Sequence, residues 1–446
     1  MSINNIHIKT VFFIIYLISN IDFVIAQKVD TSFPKEEIDT YLGSLLSPSP
    51  NEKTYSYPKN RLYSDNLLLI KGLVEIKKGN YWRAYWDLKK SYQSSIKKIE
   101  NDSTDIISKL NAAIISIAIS EVPNEYHWLR NFLGFSPLDY TLQEKYILEA
   151  KKNASEFISL QAYLTEILKT SFLLKDREQS FQLAEEIKKK FPDNKYVKVA
   201  LGWIYIKIHY PELSIQELID LPADIKWFGY YNYVLGTAYY YAEEYQNANI
   251  HFNTYLHHYS TDYVKDIYYK KLIMDWFSKE NKSFNEDLKD SVLNEGGTYM
   301  NLDRYALNFV SNPPYPNQWI TKSRILFDGG KYDRSIEVLL QVTIDTLPQV
   351  DKLEYYYRLG RSNQALNDTT LAIKCYLEVL KFEGDKPKVY YPANAALNLG
   401  ILYEGLNDKH NAVRYYQKAL NYPKHPYKNS IDAESKRRLN TLNASK

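Results

Sequence analysis

The chain of 446 residues is poor in the residue types that form tight turns and covalent cross-links. It has 15 glycines, 17 prolines and 1 cysteine, beside 42 tyrosines. So few turn formers argue against an all-β protein, and they favour long helices joined by short connections. The single cysteine, Cys375, excludes an internal disulfide and a cysteine-based zinc site.

An excess of charge of one sign is also missing. The 56 Lys and Arg residues stand against 53 Asp and Glu residues, so the chain lacks the global field used by nucleic-acid-binding proteins. Hydrophobic residues make up 45% and charged residues 24%, a balance that excludes disordered, collagenous and multi-span membrane chains. Aromatic residues, at 15%, indicate either a carbohydrate- or peptide-binding surface or a general bias toward Tyr, Lys, Ile and Asn.

The amino terminus has the features of an export signal. A polar stretch with one lysine is followed by an apolar run at 11–19, and Val24, Ile25 and Ala26 precede Gln27. This order predicts a signal peptide cleaved after Ala26, giving a periplasmic or secreted product. The apolar run is much shorter than the roughly 20 residues that cross a bilayer, so no transmembrane anchor is expected. A buried or disordered amino-terminal segment is the alternative.

A repeated pattern organises most of the remaining sequence. In the segment 393–424, small residues stand at positions 8, 20 and 27 of the unit, as Gly400, Ala412 and Ala419. Tyr403 and Tyr416 stand at positions 11 and 24. Small residues at these spacings let two helices approach closely, and the rings fill the space around the contact.

The same register recurs upstream, where Gly202 and Gly236 lie 34 residues apart in two abutting units. In all, seven units besides the one at 393–424 share the pattern to different degrees, and they begin at about Asp65, Gln161, Lys195, Gly229, Tyr263, Pro316 and Leu353. The pattern resembles the tetratricopeptide repeat, over about 270 residues of the chain. Three units match closely and the others are degenerate, so the resemblance rests on repetition.

The resemblance implies an all-α fold, a right-handed α-solenoid of tandem antiparallel helix pairs. A generic α-solenoid, such as a HEAT-like array, is the alternative. The expected organisation is a signal peptide at 1–26, an extension at 27–64, a repeat array at 65–296 with a divergent helical insert at about 99–160, a linker at 297–315, a second array at 316–426, and a capping helix or tail at 427–446.

No catalytic or metal-binding motif is recognisable in the sequence. None of the 8 histidines has a partner in a zincin arrangement, and His257 and His258 are expected to be a surface pair. Gly330 follows Gly329 without the other residues of a phosphate loop, and we interpret it as a turn between helices. Cys375 is expected to be buried in a second helix. We therefore predict a non-catalytic protein without cofactor or metal, and an enzyme with an unrecognised site stays a minor alternative.

The resemblance also implies a ligand surface. In the family, first-helix positions 2, 5, 9 and 12 face the inner groove. Rings at such positions form the predicted ligand-binding strip: Tyr196, Trp203, Tyr230, Tyr233 and Tyr240. They could stack on an extended peptide or a glycan, or else pack against neighbouring helices. Later groove positions are Lys271, Met274, Arg324, Phe327, Tyr357, Arg361, Asn394 and Glu404. The family's clamp of Lys and Asn residues for a peptide's terminal carboxylate is not reproduced.

The function predicted from these features is an exported, non-catalytic scaffold that binds a protein or peptide partner in the cell envelope, and no nucleic acid. The alternative is a glycan- or nutrient-binding module of an outer-membrane uptake system. The absence of a cysteine after the predicted cleavage site weakens that alternative, because such proteins are usually lipid-anchored.

Overall fold

A computed structural model of the chain describes residues 81–120, 136–153, 156–221, 229–278, 283–298, 300–381 and 389–444, with parts of 68–75. Within these ranges the structure has nineteen α-helices and no β-strand, which confirms the predicted all-α class. The predicted signal peptide at 1–26 and extension at 27–64 lie outside the described residues. None of the described helices combines the length and apolar character needed to span a membrane.

The chain divides into two compact units, 1–313 and 314–446. The helices described in the first unit are α1 Tyr81–Asn101, α2 Ile106–Ser120, α3 Tyr140–Lys151, α4 Glu156–Leu168, α5 Arg177–Lys190, α6 Lys195–Lys207, α7 Pro211–Leu218, α8 Gly229–Ala242, α9 Tyr245–His258, α10 Val264–Ser278, α11 Glu286–Asn294 and α12 Asn301–Ser311. Those of the second are α13 Gln318–Asp328, α14 Tyr332–Leu339, α15 Gln349–Ala365, α16 Thr369–Lys381, α17 Tyr391–Gly405, α18 Lys409–Leu420 and α19 Lys428–Ala444. A π-helix, Lys169–Leu174, extends α4, and a 3-10 helix, Ile344–Thr346, precedes α15.

Successive helices pack as hairpins where the sequence predicts repeats. The hairpins are α6 with α7, α8 with α9, α10 with α11, α13 with α14, α15 with α16, and α17 with α18. Within each unit a hairpin also packs on the next one, as α7 does on α8 and α16 on α17. Helix pairs stacked in chain order are the architecture of a helical solenoid, as predicted.

The close crossing inside a hairpin depends on a glycine in its first helix. A Cβ atom on Gly236 would lie 2.7 Å from Cδ1 of Phe252, and one on Gly202 would lie 2.7 Å from Cδ1 of Leu218. The same relation recurs in the second unit, between Gly360 and Tyr376 and between Gly400 and Tyr416. A side chain at any of these positions would overlap the facing residue of the second helix, so the role predicted for these glycines is confirmed.

The turn inside the hairpins also repeats. Lys175, His209 and Glu243 have positive φ values of 55°, 65° and 67°, and they are successively 34 residues apart. After His209 and Glu243 the next amide donates to a carbonyl five residues earlier, as from Glu244 N to Tyr239 O at 2.9 Å, whereas Asp176 N donates to Thr170 O, six residues earlier. In the second unit the positive-φ place is taken by Gly330, Asn367 and Asn407. The turn assigned to Gly330 from the sequence is therefore present.

The predicted insert at about 99–160 contains helices of its own. Helix α2 is buried along most of its length, with Ala112, Ala113 and Ile114 at most 1% exposed. It packs between α1 and α3. This agrees with the apolar character of α2 on every face, which is typical of a helix covered on both sides.

The segment 297–315 differs from the predicted linker, because α12 occupies most of it. Asp303, Ala306 and Val310 on α12 are buried. The Asp303 carboxylate accepts hydrogen bonds from the backbone N–H groups of Tyr263 at 2.8 Å and Asp266 at 3.0 Å, at the start of α10. The glycines and prolines around 294–316 predict a break in the repeat, but they give no sign that Asp303 contacts the start of α10.

Helix α19 lies where the sequence predicts a capping helix. Its Ile431 is 3% exposed and packs in a core cluster with Ala396, Ala412 and Tyr416. Leu439 and Leu442 pack against the same cluster. The helix therefore covers the apolar face that the last hairpin leaves open.

Candidate functional site

Three of the predicted groove rings come together in the first unit. The ring centroid of Trp203 on α6 lies 6.2 Å from that of Tyr230 and 6.0 Å from that of Tyr233 on α8. Tyr233 in turn stacks on Tyr263, with centroids 4.1 Å apart. Tyr240 lies further along α8 and contacts other rings. The structure thus forms an aromatic cluster of Trp203, Tyr230, Tyr233 and Tyr263.

Most of the predicted rings are covered by neighbouring helices. Trp203 is 8% exposed, Tyr233 is 0% and Tyr240 is 2%. A ring without an exposed face cannot stack on a ligand, so Tyr233 and Tyr240 follow the packing alternative in this structure. Tyr230 is partly exposed, and Tyr196 lies on α6 with its side chain outside the described residues. A ligand role of Tyr230 and Tyr196 stays a prediction.

A buried polar network lies beside the aromatic cluster. The Tyr233 hydroxyl donates to Oδ2 of Asp266 at 2.7 Å, and Lys270 forms an ion pair with the same carboxylate. Burial, and then the neighbouring Asp266, raise the pKa of Asp303 to about 8. The sequence interpretation missed this network. The spacing of Asp266 and Lys270 in α10 is typical of a helical ion pair, whereas no local signal singles out Asp303.

The second unit brings four predicted groove positions together. The Arg361 guanidinium on α15 lies over the ring of Phe327, with 4.6 Å from Cζ to the ring centroid. Its Nη1 donates to the Tyr357 hydroxyl at 3.1 Å, and Nδ2 of Asn394 on α17 donates to the same hydroxyl at 3.0 Å. These four residues, the Arg361 cluster, join the first helices of three successive hairpins. Phe327 and Tyr357 are buried, whereas Arg361 and Asn394 are partly exposed.

A neutralised ion pair lies next to this cluster. Arg358 donates to Oε1 of Glu354 from Nε at 3.0 Å and from Nη2 at 2.8 Å, and both residues are buried. Burial opposes the charged form of Glu354, but Arg358 and Arg324 outweigh it and lower the pKa of the carboxyl group. Sequence reasoning did not select Glu354 and Arg358, although their spacing is that of a helical pair.

The remaining predicted groove positions are used in packing. Glu404 accepts hydrogen bonds from the Tyr416 hydroxyl and from Nη1 of Arg438, the latter at 3.1 Å, and so ties α19 to α17. Lys271 donates to Oδ1 of Asn253 at 2.7 Å, and Met274 is buried. These contacts hold neighbouring helices together.

The side chains considered for catalysis or metal binding are either buried in the helix packing or exposed at a helix end. Cys375 is buried, as predicted, and burial raises the pKa of its thiol to about 11. His257 and His258 are both exposed at the end of α9, as predicted for a surface pair. In the part of the chain that the structure describes, no group of three or more His, Cys, Asp or Glu side chains is placed to hold a metal ion.

Comparison with known families adds an independent finding. The tetratricopeptide repeat model matches residues 353–386 and 393–425, the segments that contain the α15–α16 and α17–α18 hairpins. A search of curated proteins found no match. Both matched segments begin at first residues predicted from the period, Leu353 and Ala393, and both contain the glycine crossing of the upstream hairpins. The α15–α16 and α17–α18 hairpins of the second unit are therefore tetratricopeptide repeats.

Proposed function

We propose that this protein is a non-catalytic scaffold of the cell envelope that binds another protein through the first helices of its repeats. Stacked helix pairs present extended surfaces that such repeat proteins use for binding. The proposed export rests on the signal-like order of residues 1–26, with cleavage after Ala26.

The observation that carries the proposal is the Arg361 cluster. Side chains from the first helices of three successive hairpins meet at one place and contact one another there. Two of them, Arg361 and Asn394, keep part of their surface exposed. A surface built across several repeats suits a ligand that extends along the array, such as a segment of another protein.

Site-specific photo-crosslinking in the cells that produce the protein tests this function. A photoreactive benzoylphenylalanine at Asn398, one turn beyond Asn394 on α17, is expected to give a covalent adduct with a second protein. The same residue at Arg414, which is exposed on α18, is the matched control and is expected to give none. Mass spectrometry of the same preparation is expected to show an envelope protein that begins at Gln27.

Absence of a protein adduct at Asn398 would contradict the scaffold role, since the reactive group lies beside the proposed surface. Equal adduct formation at Asn398 and Arg414 would indicate random collision. A protein that is found in the cytoplasmic fraction and still begins at Met1 would contradict the proposed export.

A further inference from the structure

We propose that the Arg361 cluster is an anion subsite that receives an acidic side chain, Asp or Glu, from a peptide segment of the partner. This inference rests on the proposed scaffold function and names the chemistry of the partner. It follows from charge, from hydrogen-bond inventory and from geometry at the same four residues.

Among the described residues, no acid is paired with the charge of Arg361. Its side chain donates a hydrogen bond to Tyr357 and lies over the Phe327 and Tyr357 rings, and no carboxylate of the described residues lies within ion-pair distance. Arg358, one turn earlier on α15, differs in this respect because Glu354 neutralises it. Arg324 on α13 adds positive charge nearby, since it lowers the pKa of Glu354. An incoming carboxylate would complete the missing pair.

The polar atoms of the cluster have donor capacity left and little acceptor capacity. The Tyr357 oxygen already accepts from Arg361 and from Asn394, which use its two lone pairs. The amide oxygen of Asn394 accepts from Nδ2 of Asn398 at 3.0 Å. What remains are N–H groups of Arg361, the second N–H of Asn394 and the Tyr357 O–H. Because these free donors outnumber the one lone pair left on the Asn394 oxygen, the cluster favours an anion over a neutral polar ligand.

The cluster is also held in place before a ligand arrives. The Phe327 ring supports the planar face of the Arg361 guanidinium, and the hydrogen bond to Tyr357 orients its edge. A fixed planar guanidinium matches a planar carboxylate through two parallel N–H···O bonds, which gives geometric selectivity as well as affinity. A half-buried position strengthens the interaction because water screens the charges less.

Fluorescence anisotropy with full-length mature protein tests this inference. The probe is a fluorescein-labelled, amidated hepta-glutamate peptide, and an amidated hepta-glutamine peptide is its neutral counterpart. We expect Arg361→Gln to weaken binding of hepta-glutamate about tenfold, the scale of one charge-assisted bidentate contact. Arg414→Gln removes the same charge from an exposed site and is expected to change the affinity less than about twofold.

Two further variants separate recognition from folding. Arg361→Lys keeps the charge but loses the planar fork, and it is expected to bind with an affinity between those of the wild type and Arg361→Gln. Tyr357→Phe keeps the ring and removes the hydroxyl that orients Arg361 and Asn394, and it is expected to weaken binding as well. Circular dichroism melting verifies that each variant is folded, and Tyr357→Phe carries the test if Arg361→Gln is not.

Several results would overturn the inference. These are failure of the wild type to bind hepta-glutamate, equal losses for Arg361→Gln and Arg414→Gln, and equal binding of a hepta-glutamine peptide with a free terminal carboxylate. Displacement of the probe by inorganic phosphate at equal concentration would assign the subsite to phosphate instead. If crosslinking captures a protein partner while these results occur, the scaffold function stands and the acidic ligand falls. If binding of hepta-glutamate depends on Arg361 but crosslinking captures no protein, the anion subsite stands and the scaffold function falls.

Discussion

At the scale of single residues, the hairpins are held by one small residue facing one large residue. Gly400 on α17 meets the ring of Tyr416 on α18, and a Cβ atom at position 400 would overlap that ring. Tyr416 has little room to move, because its hydroxyl is hydrogen-bonded to Glu404 and its ring is fully buried. The contact therefore fixes the distance between the two helices.

We expect Gly400→Ala to lower the free energy of unfolding by about 1–3 kcal/mol, the usual effect of an added methyl group in a packed core. Gly405 lies at the end of the same helix, where a Cβ atom would have no neighbour within 4 Å. Gly405→Ala is the control, and it is expected to be neutral or stabilising by less than about 1 kcal/mol. Urea denaturation of both variants measures the effect. Equal stability of Gly400→Ala and the wild type would contradict this account of the crossing.

The glycine contacts could be predicted from the sequence, whereas the burial or exposure of the aromatic side chains could not. Gly202 and Gly236 repeat at a fixed spacing, and a fixed spacing maps onto a fixed place in the helix pair. Tyr233 occupies a groove position of that pattern, yet it is fully buried. The reason is that burial depends on partners distant in sequence, here Tyr263 stacked on the ring and Asp266 bonded to the hydroxyl.

At the scale of helices, α10 depends on a cap that another helix supplies. Asp303 on α12 accepts hydrogen bonds from the backbone N–H groups of Tyr263 and Asp266, which would otherwise lack an acceptor at the start of α10. No sequence signal near α10 reveals this, because the capping residue comes about forty positions later in the chain. The sequence analysis also did not predict the π-helix at Lys169–Leu174, whose buried Lys169 forms an ion pair with the distant Glu144 on α3.

Stability is expected to depend on pH through Asp303. Its pKa is raised to about 8 in the folded protein from an ordinary value of 3.8, so between these values the folded state keeps a proton that the unfolded chain has lost. The contribution of Asp303 is therefore present at low pH and is lost as the pH rises toward 8, by on the order of 1 kcal/mol per pH unit.

Asp303→Asn removes the titrating group and keeps one amide oxygen as an acceptor. Urea denaturation of both proteins between about pH 5 and pH 8 gives the difference between their free energies of unfolding. We expect the wild type to lose stability relative to the variant as the pH rises. A difference that grows in favour of the wild type would instead mean that the helix terminus keeps Asp303 ionised.

At the scale of the whole molecule, the chain consists of two units with separate cores. In the second unit the buried rings and alanines of α15, α17 and α18 form continuous clusters, which α19 closes at the carboxyl end. The sequence placed the start of this array at Pro316, close to the division after Pro313. Local breaker residues made that boundary visible, whereas α12 inside the expected linker depended on a distant contact.

We expect the fragment 314–446 to fold on its own, because its core is made within the unit. Circular dichroism is expected to show a helical spectrum and a cooperative thermal transition. A fragment that ends at Tyr427 lacks α19 and leaves apolar surface such as Ala396 and Ala412 uncovered. It is expected to melt at a lower temperature or to self-associate in analytical ultracentrifugation. A disordered 314–446 fragment would contradict the independence of the unit.

The repeated turn has a consequence for how such a chain can change its length. In the first unit its positive-φ position is occupied by Lys175, His209 and Glu243, none of which is a glycine, and the local bonds run between backbone groups. The turn therefore tolerates substitutions as long as the number of residues in it stays the same. Gain or loss of one complete helix pair would join equivalent backbone ends. Extra residues are accommodated in the connections between hairpins, since Gly330, Asn367 and Asn407 are 37 and 40 residues apart, whereas an insertion inside a helix would shift the later side chains of that helix to another face. Changes of chain length are therefore expected as whole repeats or as longer connections between hairpins.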